Sequence, residues 1–244
     1  MKLRIFLSLI LCGACGALQA QQAVHSPAEI DTPTAFTISR GTYALSLFAY
    51  DRGGLEMKAF IGVHDNIYLG VSSDVEHAIG KDTPHFNIPG VVAKVKFTDG
   101  WETFPISIAA GYDSFYLGSE GKKENRDNEL NRMIYGPYLV ITKPIYLLDS
   151  EQHIGGGIRV PTYPHFYGSD TSYFASFDIP MGEFFTLKGE TERVYYNFRR
   201  PGDWLFNTGF KYTYMSKFSI EFDLMFQYDE PVNRIIRVEY TDEF

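Results

Sequence analysis

Beyond its first twenty residues the chain has no cysteine: Cys12 and Cys15 are its only two. Once that segment is removed, neither a disulfide framework nor thiol chemistry is available. Long apolar runs are missing as well. No stretch after the N-terminus approaches the ~20 residues of a membrane helix, so any membrane span must be made of strands. Basic clusters are scarce too, with only the pairs Lys122-Lys123 and Arg199-Arg200 and a formal charge of −8. That balance argues against nucleic acid, whose phosphates attract grouped Lys and Arg. No helical period competes over any long stretch.

The first twenty residues have the order of an export signal. Lys2 and Arg4 form a basic start, Ile5 to Leu11 an apolar run, and Leu18-Gln19-Ala20 a small-residue exit before Gln21. Cleavage after Ala20 is expected and would take the formal charge from −8 to −10. Residues 21–39 read as an extended polar lead-in carrying Pro27 and Pro33, and residues 40–244 as the folded unit.

Two-residue alternation fills that unit. In FSIEFDLMFQY, Phe218 to Tyr228, the residues Phe218, Ile220, Phe222, Leu224, Phe226 and Tyr228 share one parity, and Ser219, Glu221, Asp223, Met225 and Gln227 the other. Eleven residues at ~3.3 Å, tilted by ~45°, rise ~25 Å, the height of a bilayer's apolar band. Similar segments recur about twelve times. The first, Thr42 to Tyr50, meets the second across Asp51-Arg52-Gly53-Gly54, whose glycines suit a hairpin turn. From Met133 to Thr142 the parity is ambiguous.

Connection lengths give an independent signal, since the long links fall only on alternate connections: 74–89, 114–132, 161–171 and 193–203. Residues 143–152 read as a connection of medium length on the other side. An up-and-down antiparallel barrel has this arrangement, with an even strand number and both chain ends on one side.

The parity opposite the apolar one carries the charge: Glu56, Lys58, Lys94, Lys96, Asp113, Arg159, Asp178, Lys188, Glu190, Glu192, Lys211, Glu221, Asp223, Arg237 and Glu239. In a barrel these side chains face the lumen, where opposite signs pair and no lone charge enters hydrocarbon. Aromatics (Tyr43, Phe97, Phe104, Tyr112, Tyr173, Phe185, Tyr214, Phe218, Tyr228 and Tyr240) sit near strand ends on the apolar parity, where amphipathic rings suit the headgroup level. The expected fold is therefore an all-β, antiparallel transmembrane barrel of about twelve strands in the outer membrane. Lipid and the barrel-assembly machinery are its expected partners, the latter through the aromatic last strand. A periplasmic β-sandwich or ligand-binding barrel, with the charged face wet, is the alternative.

ISRGTYALSLFAYDRGGLEMKAFIGVHDNIYLGVSSDVEHAIG, followed by IPGVVAKVKF and ISIAAGYDSF, resembles the YjbH-type outer-membrane proteins associated with exopolysaccharide production and export. The features that carry the likeness, within residues 39–115, are Gly41, Gly53-Gly54, Gly62 with Leu69-Gly70, Pro89-Gly90 with Lys94 and Lys96, and Ala109 to Asp113. The resemblance implies a bacterial outer-membrane barrel serving an extracellular polysaccharide and its export proteins. It brings no catalytic motif and no cofactor.

Enzymatic signals are sparse. A barrel hydrolase needs a nucleophile beside a rim histidine, yet His64, His77, His85 and His165 fall in turns and loops. Only His153 starts a strand. Sets such as His77 with Asp74 and Glu76, or Glu124, Asp127 and Glu129, match no known cation loop. Gly155-Gly156-Gly157 continues a strand pattern and reads as a bend or close packing in the wall. For sugar stacking the long connections offer Tyr163, Tyr167, Tyr195, Tyr196 and Trp204, beside the simpler roles of girdle and loop packing. A loop such as 114–132 is the expected constriction of the lumen.

Overall fold

A computed structural model describes residues 26–50, 53–87, 89–100, 104–113, 116–119, 130–133, 136–147, 150–160, 171–194, 203–227 and 232–244. The export signal, residues 1–20, lies outside them, as does Tyr228. The strands are β1 (Thr42–Tyr50), β2 (Gly54–His64), β3 (Ile67–Glu76), β4 (His85–Phe86), β5 (Gly90–Asp99), β6 (Ser107–Asp113), β7 (Tyr116–Ser119), β8 (Leu130–Met133), β9 (Gly136–Leu147), β10 (Ser150–Arg159), β11 (Ser172–Met181), β12 (Phe185–Val194), β13 (Asp203–Tyr214), β14 (Phe218–Gln227) and β15 (Asn233–Glu243).

Twelve of these close into an antiparallel ring, while the two-residue β4 hangs on β3 and β7 and β8 pair only with each other. Each wall strand pairs with its neighbours along the chain, and β1 meets β15 from Thr42 opposite Glu243 to Ala49 opposite Ile236. Closure leaves no wall strand with an unpaired edge, the liability of an open sheet. Both Thr42 and Glu243 lie at one end of the ring, which is also the end of the tight turns 65–66, 182–184 and 215–217. The strand ends that the long connections join lie at the other end. At the tight-turn end Lys217 donates to Asp242 at 2.5 Å, and this bond holds its ammonium above the ordinary lysine range.

The parity of β14 answers the question of orientation. Ile220 (43%), Phe222 (45%) and Phe226 (40%) are exposed, whereas Glu221 (1%) and Asp223 (0%) are buried. The same holds around the ring, with Leu45, Met57, Val71, Val91, Ile141 and Phe206 facing out. An open sandwich, with its ionised face wet and its apolar face inside, is excluded. Rings lie towards both ends: near the tight turns Tyr43 lies 6.2 Å from Tyr240 and Phe185 stacks on Phe210 at 5.0 Å, and at the other end Tyr173, Trp204 and Phe226 are exposed.

Two strand readings change. Residues 143–152 are no medium connection: β9 runs on to Leu147, and β10 begins at Ser150. The ambiguity over 133–142 also has a cause. In β9 both faces are apolar, with Leu139 and Ile141 outward and Tyr138 and Val140 buried inward. The inward pair packs with Ala35, Ala109 and Phe174, so this part of the wall covers something apolar inside the ring. The glycine run serves close packing. A Cβ on Gly157 would stand 2.2 Å from the Leu139 carbonyl oxygen and 2.5 Å from the Phe174 ring.

Candidate functional site in the barrel lumen

Residues 26–38 do not form an extended lead-in outside the barrel. They fold as a hairpin inside it. Pro27 and Pro33 lack N–H groups and so ask for no partner there. Between them Ala28 bridges Pro33, Glu29 N donates to the Thr32 carbonyl at 2.9 Å, and Thr34 N to the Pro27 carbonyl at 3.2 Å. The tip is deeply buried, with Glu29 at 2%, Ile30 at 1% and Thr32 at 0% exposure. A short hairpin cannot satisfy its own backbone, and buried amides and carbonyls need partners. The barrel wall provides them.

Glu190 of β12 accepts three successive amides, those of Ile30 (3.1 Å), Asp31 (3.0 Å) and Thr32 (3.0 Å), together with the Thr32 hydroxyl at 2.8 Å. Asn207 steadies the same carboxylate with a 2.6 Å bond. Lys94 of β5 serves the carbonyls, donating to Pro27 (2.6 Å), Thr34 (2.8 Å) and Phe36 (3.2 Å), which uses all three donors of an ammonium. Lys188 donates to the Glu29 carbonyl at 2.9 Å and to Glu221 at 2.8 Å, and Arg237 spans the Glu29 and Ile30 carbonyls. Arg159 reaches the Asp31 carbonyl at 3.4 Å and pairs with Glu192 at 2.6 Å. Lys94 also lies over the Tyr68 ring and Arg237 over Phe48, at 5.1 and 4.8 Å.

The remaining charges of the inward parity are placed as follows. Lys211 pairs with Glu239 at 2.7 Å, Lys58 stands 3.7 Å from Glu56, and Lys96 pairs with Asp99 at 3.0 Å near the tight turns. Asp223 is fully buried beside Gly209. Glu56 and Asp113 line a residual cavity of about 50 Å³ between the hairpin and the wall.

His153 is 1% exposed on the inner face of β10, with Nδ1 2.9 Å from the Asp178 carboxylate, Nε2 3.0 Å from Glu151, and its ring 4.7 Å from Phe36. Both ring nitrogens are engaged by carboxylates, so neither is left to take a proton from a hydroxyl. The cluster reads as an ion-pair anchor. Asp74 is held by the Tyr50 hydroxyl (2.8 Å) and by Asn87 (2.6 Å), which also donates to Glu76 at 3.0 Å. Among the described residues no group of three His, Cys, Asp or Glu is arranged to hold a metal ion.

Two expectations are corrected. Trp204 is no loop residue: it is the second residue of β13, 48% exposed on the outward parity of Phe206 and Phe210. Tyr163, Tyr167, Tyr195 and Tyr196 lie outside the described residues. The lumen is occupied by the N-terminal hairpin, which the sequence placed as an extended lead-in; of the loop at 114–132 only β7 and the start of β8 are described. Sequence reading missed the hairpin because its partners are far away, with Glu190 lying 160 residues from Ile30. Its one local signal is the apolar Ile30, Ala35, Phe36 and Ile38 in a segment with no basic residue before Arg40.

The wall accommodates the hairpin's exit at Gly62, where a Cβ would stand 1.9 Å from the Ser39 carbonyl oxygen and 2.8 Å from that of Ile38. Gly62→Ala is therefore expected to lower unfolding free energy by about 1–3 kcal/mol, the usual cost of overpacking. It should also expose residues 26–40 to faster proteolysis. Denaturant titration and timed digestion of the folded barrel check both effects.

No family model matches the chain, and no curated protein matches it in sequence. Solved structures share its fold. The KdgM porin is 14% identical, with the alignment covering 82% of this chain and 98% of that one at a TM-score of 0.50. The KdgM porin in complex with disordered oligogalacturonate is 12% identical over 83% and 99%, at 0.51. The NanC porin is 12% identical over 83% and 99%, at 0.48. At these identities the likeness is one of fold.

Proposed function

We propose that this chain is a non-enzymatic outer-membrane barrel that serves the production or export of an extracellular polysaccharide. The observation that carries the membrane part is the orientation of β14 and its neighbours: a closed ring with apolar side chains outward and ionised ones enclosed. In water that surface would be an exposed apolar patch far beyond what monomers tolerate. In a bilayer it is the expected solvation. The polysaccharide part rests on the resemblance of residues 39–115 to the YjbH-type proteins, and its partners would be export proteins of the same envelope. The commitment of both His153 nitrogens to carboxylates supports a role without chemistry.

The experiment has two arms. In membrane fractions the protein should resist a carbonate wash and migrate differently with and without boiling. Deleting its gene should lower secreted polysaccharide several-fold. Release by carbonate would overturn the membrane part, and unchanged polymer with a verified deletion would overturn the polysaccharide part.

A further inference from the structure

The lumen wall grips residues 26–38 by their main chain. Apart from the Thr32 hydroxyl and the Asp31 carboxylate, which stands 3.9 Å from Arg237, the bonds that Glu190, Lys94, Lys188 and Arg237 make with the hairpin go to its backbone amides and carbonyls. Water can replace these polar partners, and the hairpin's apolar contacts with the wall centre on two patches, one around Ala35 and one around Ile38. Both arms point to the same end of the ring. Thr37 Oγ1 donates to the Asp65 carbonyl at 2.7 Å and Arg40 N to the Asp65 carboxylate at 3.1 Å, in the tight turn after β2. The other arm is folded back alongside, with Thr34 Oγ1 donating to the Ser26 carbonyl at 2.5 Å. The hairpin enters tip first and does not thread the ring. None of the twelve wall ladders includes it.

The wall itself is acidic. Carboxylates outnumber ammonium and guanidinium groups among the described inward-facing side chains. An acidic lumen enriches small cations and repels polyanions.

We propose that residues 26–38 are a removable plug, and that the lumen they occupy is a cation-preferring passage. This rests on the membrane reading above and not on the polysaccharide. It deepens that reading by excluding strongly anionic polymers as cargo of the open state.

The test is conductance in planar lipid bilayers with KCl, using the full chain, a variant lacking residues 26–38, and the double point variant Glu190→Ala with Lys94→Ala, each first checked for heat-modifiable migration. Removal of the plug should raise mean conductance on the order of tenfold, given the interior of a ring of this size. The reversal potential in a salt gradient should show preference for K⁺ over Cl⁻. The double variant, which keeps the chain length, should open intermittently. A deletion variant that folds but conducts no more than the full chain overturns the plug, and an opened current that prefers chloride overturns the passage. A full chain with no heat-modifiable form overturns the membrane reading, and the plug with it.

Discussion

Phe222→Arg is expected to cost about 2–4 kcal/mol of folding stability in lipid, the range for a cation at the midplane of a membrane barrel. Phe222 lies at the middle of β14, 45% exposed, facing Phe210 on one side and Ile236 on the other. An arginine there must hold its guanidinium in hydrocarbon or drag water in. The same change at Tyr214, outward and at the tight-turn end of β13, should cost only about 0–1 kcal/mol, because the side chain reaches the headgroups. The contrast is what matters. Unfolding by guanidinium in liposomes measures both variants. Equal costs at the two depths would mean that the outward face is not immersed in hydrocarbon.

That depth profile depends on a parity that was legible in the sequence for a physical reason. A charge cannot face hydrocarbon, so Glu221, Asp223, Lys188 and Glu190 had to share a side, and their neighbours Ile220, Phe222 and Leu187 had to take the other. Strand ends were less legible. Backbone pairing continues wherever neighbouring chain is available, whatever the side chains, so β9 extends through Lys143 to Leu147 where composition suggested a connection. The parity of β9 was hidden for a different reason: Tyr138 and Val140 face inward because they cover Ala35 of the hairpin, and an apolar residue inside a charged lumen breaks the rule that served the other strands. The hairpin itself has no periodicity to detect. Its fold exists only as the complement of groups on distant strands, and Pro27 and Pro33, the very residues that suggested a tether, are the two whose nitrogens need no acceptor inside the ring.

Arg159→Met tests whether those enclosed charges stabilise the occupied lumen or merely tolerate it. Arg159 and Glu192 are 1% and 2% exposed and 2.6 Å apart, and the same guanidinium reaches the Asp31 carbonyl and the Phe174 ring. Removing it strips the cation from a buried carboxylate, for which the expected loss is about 3–5 kcal/mol. Adding Glu192→Leu should return most of it, since replacing both members of a buried pair with apolar groups is often near neutral. The double-mutant cycle isolates the pair term, because the contacts to Asp31 and Phe174 are lost in both backgrounds. If the single variant instead unfolds within about 0.5 kcal/mol of the parent, water reaches Glu192 freely. The hairpin would then leave that part of the wall wet, and its grip at Asp31 would be weak. A full loss with recovery in the double variant would instead establish that the ring and its occupant fold as one dry, mutually paired unit at this height, so withdrawal of the hairpin must bring water in to replace it.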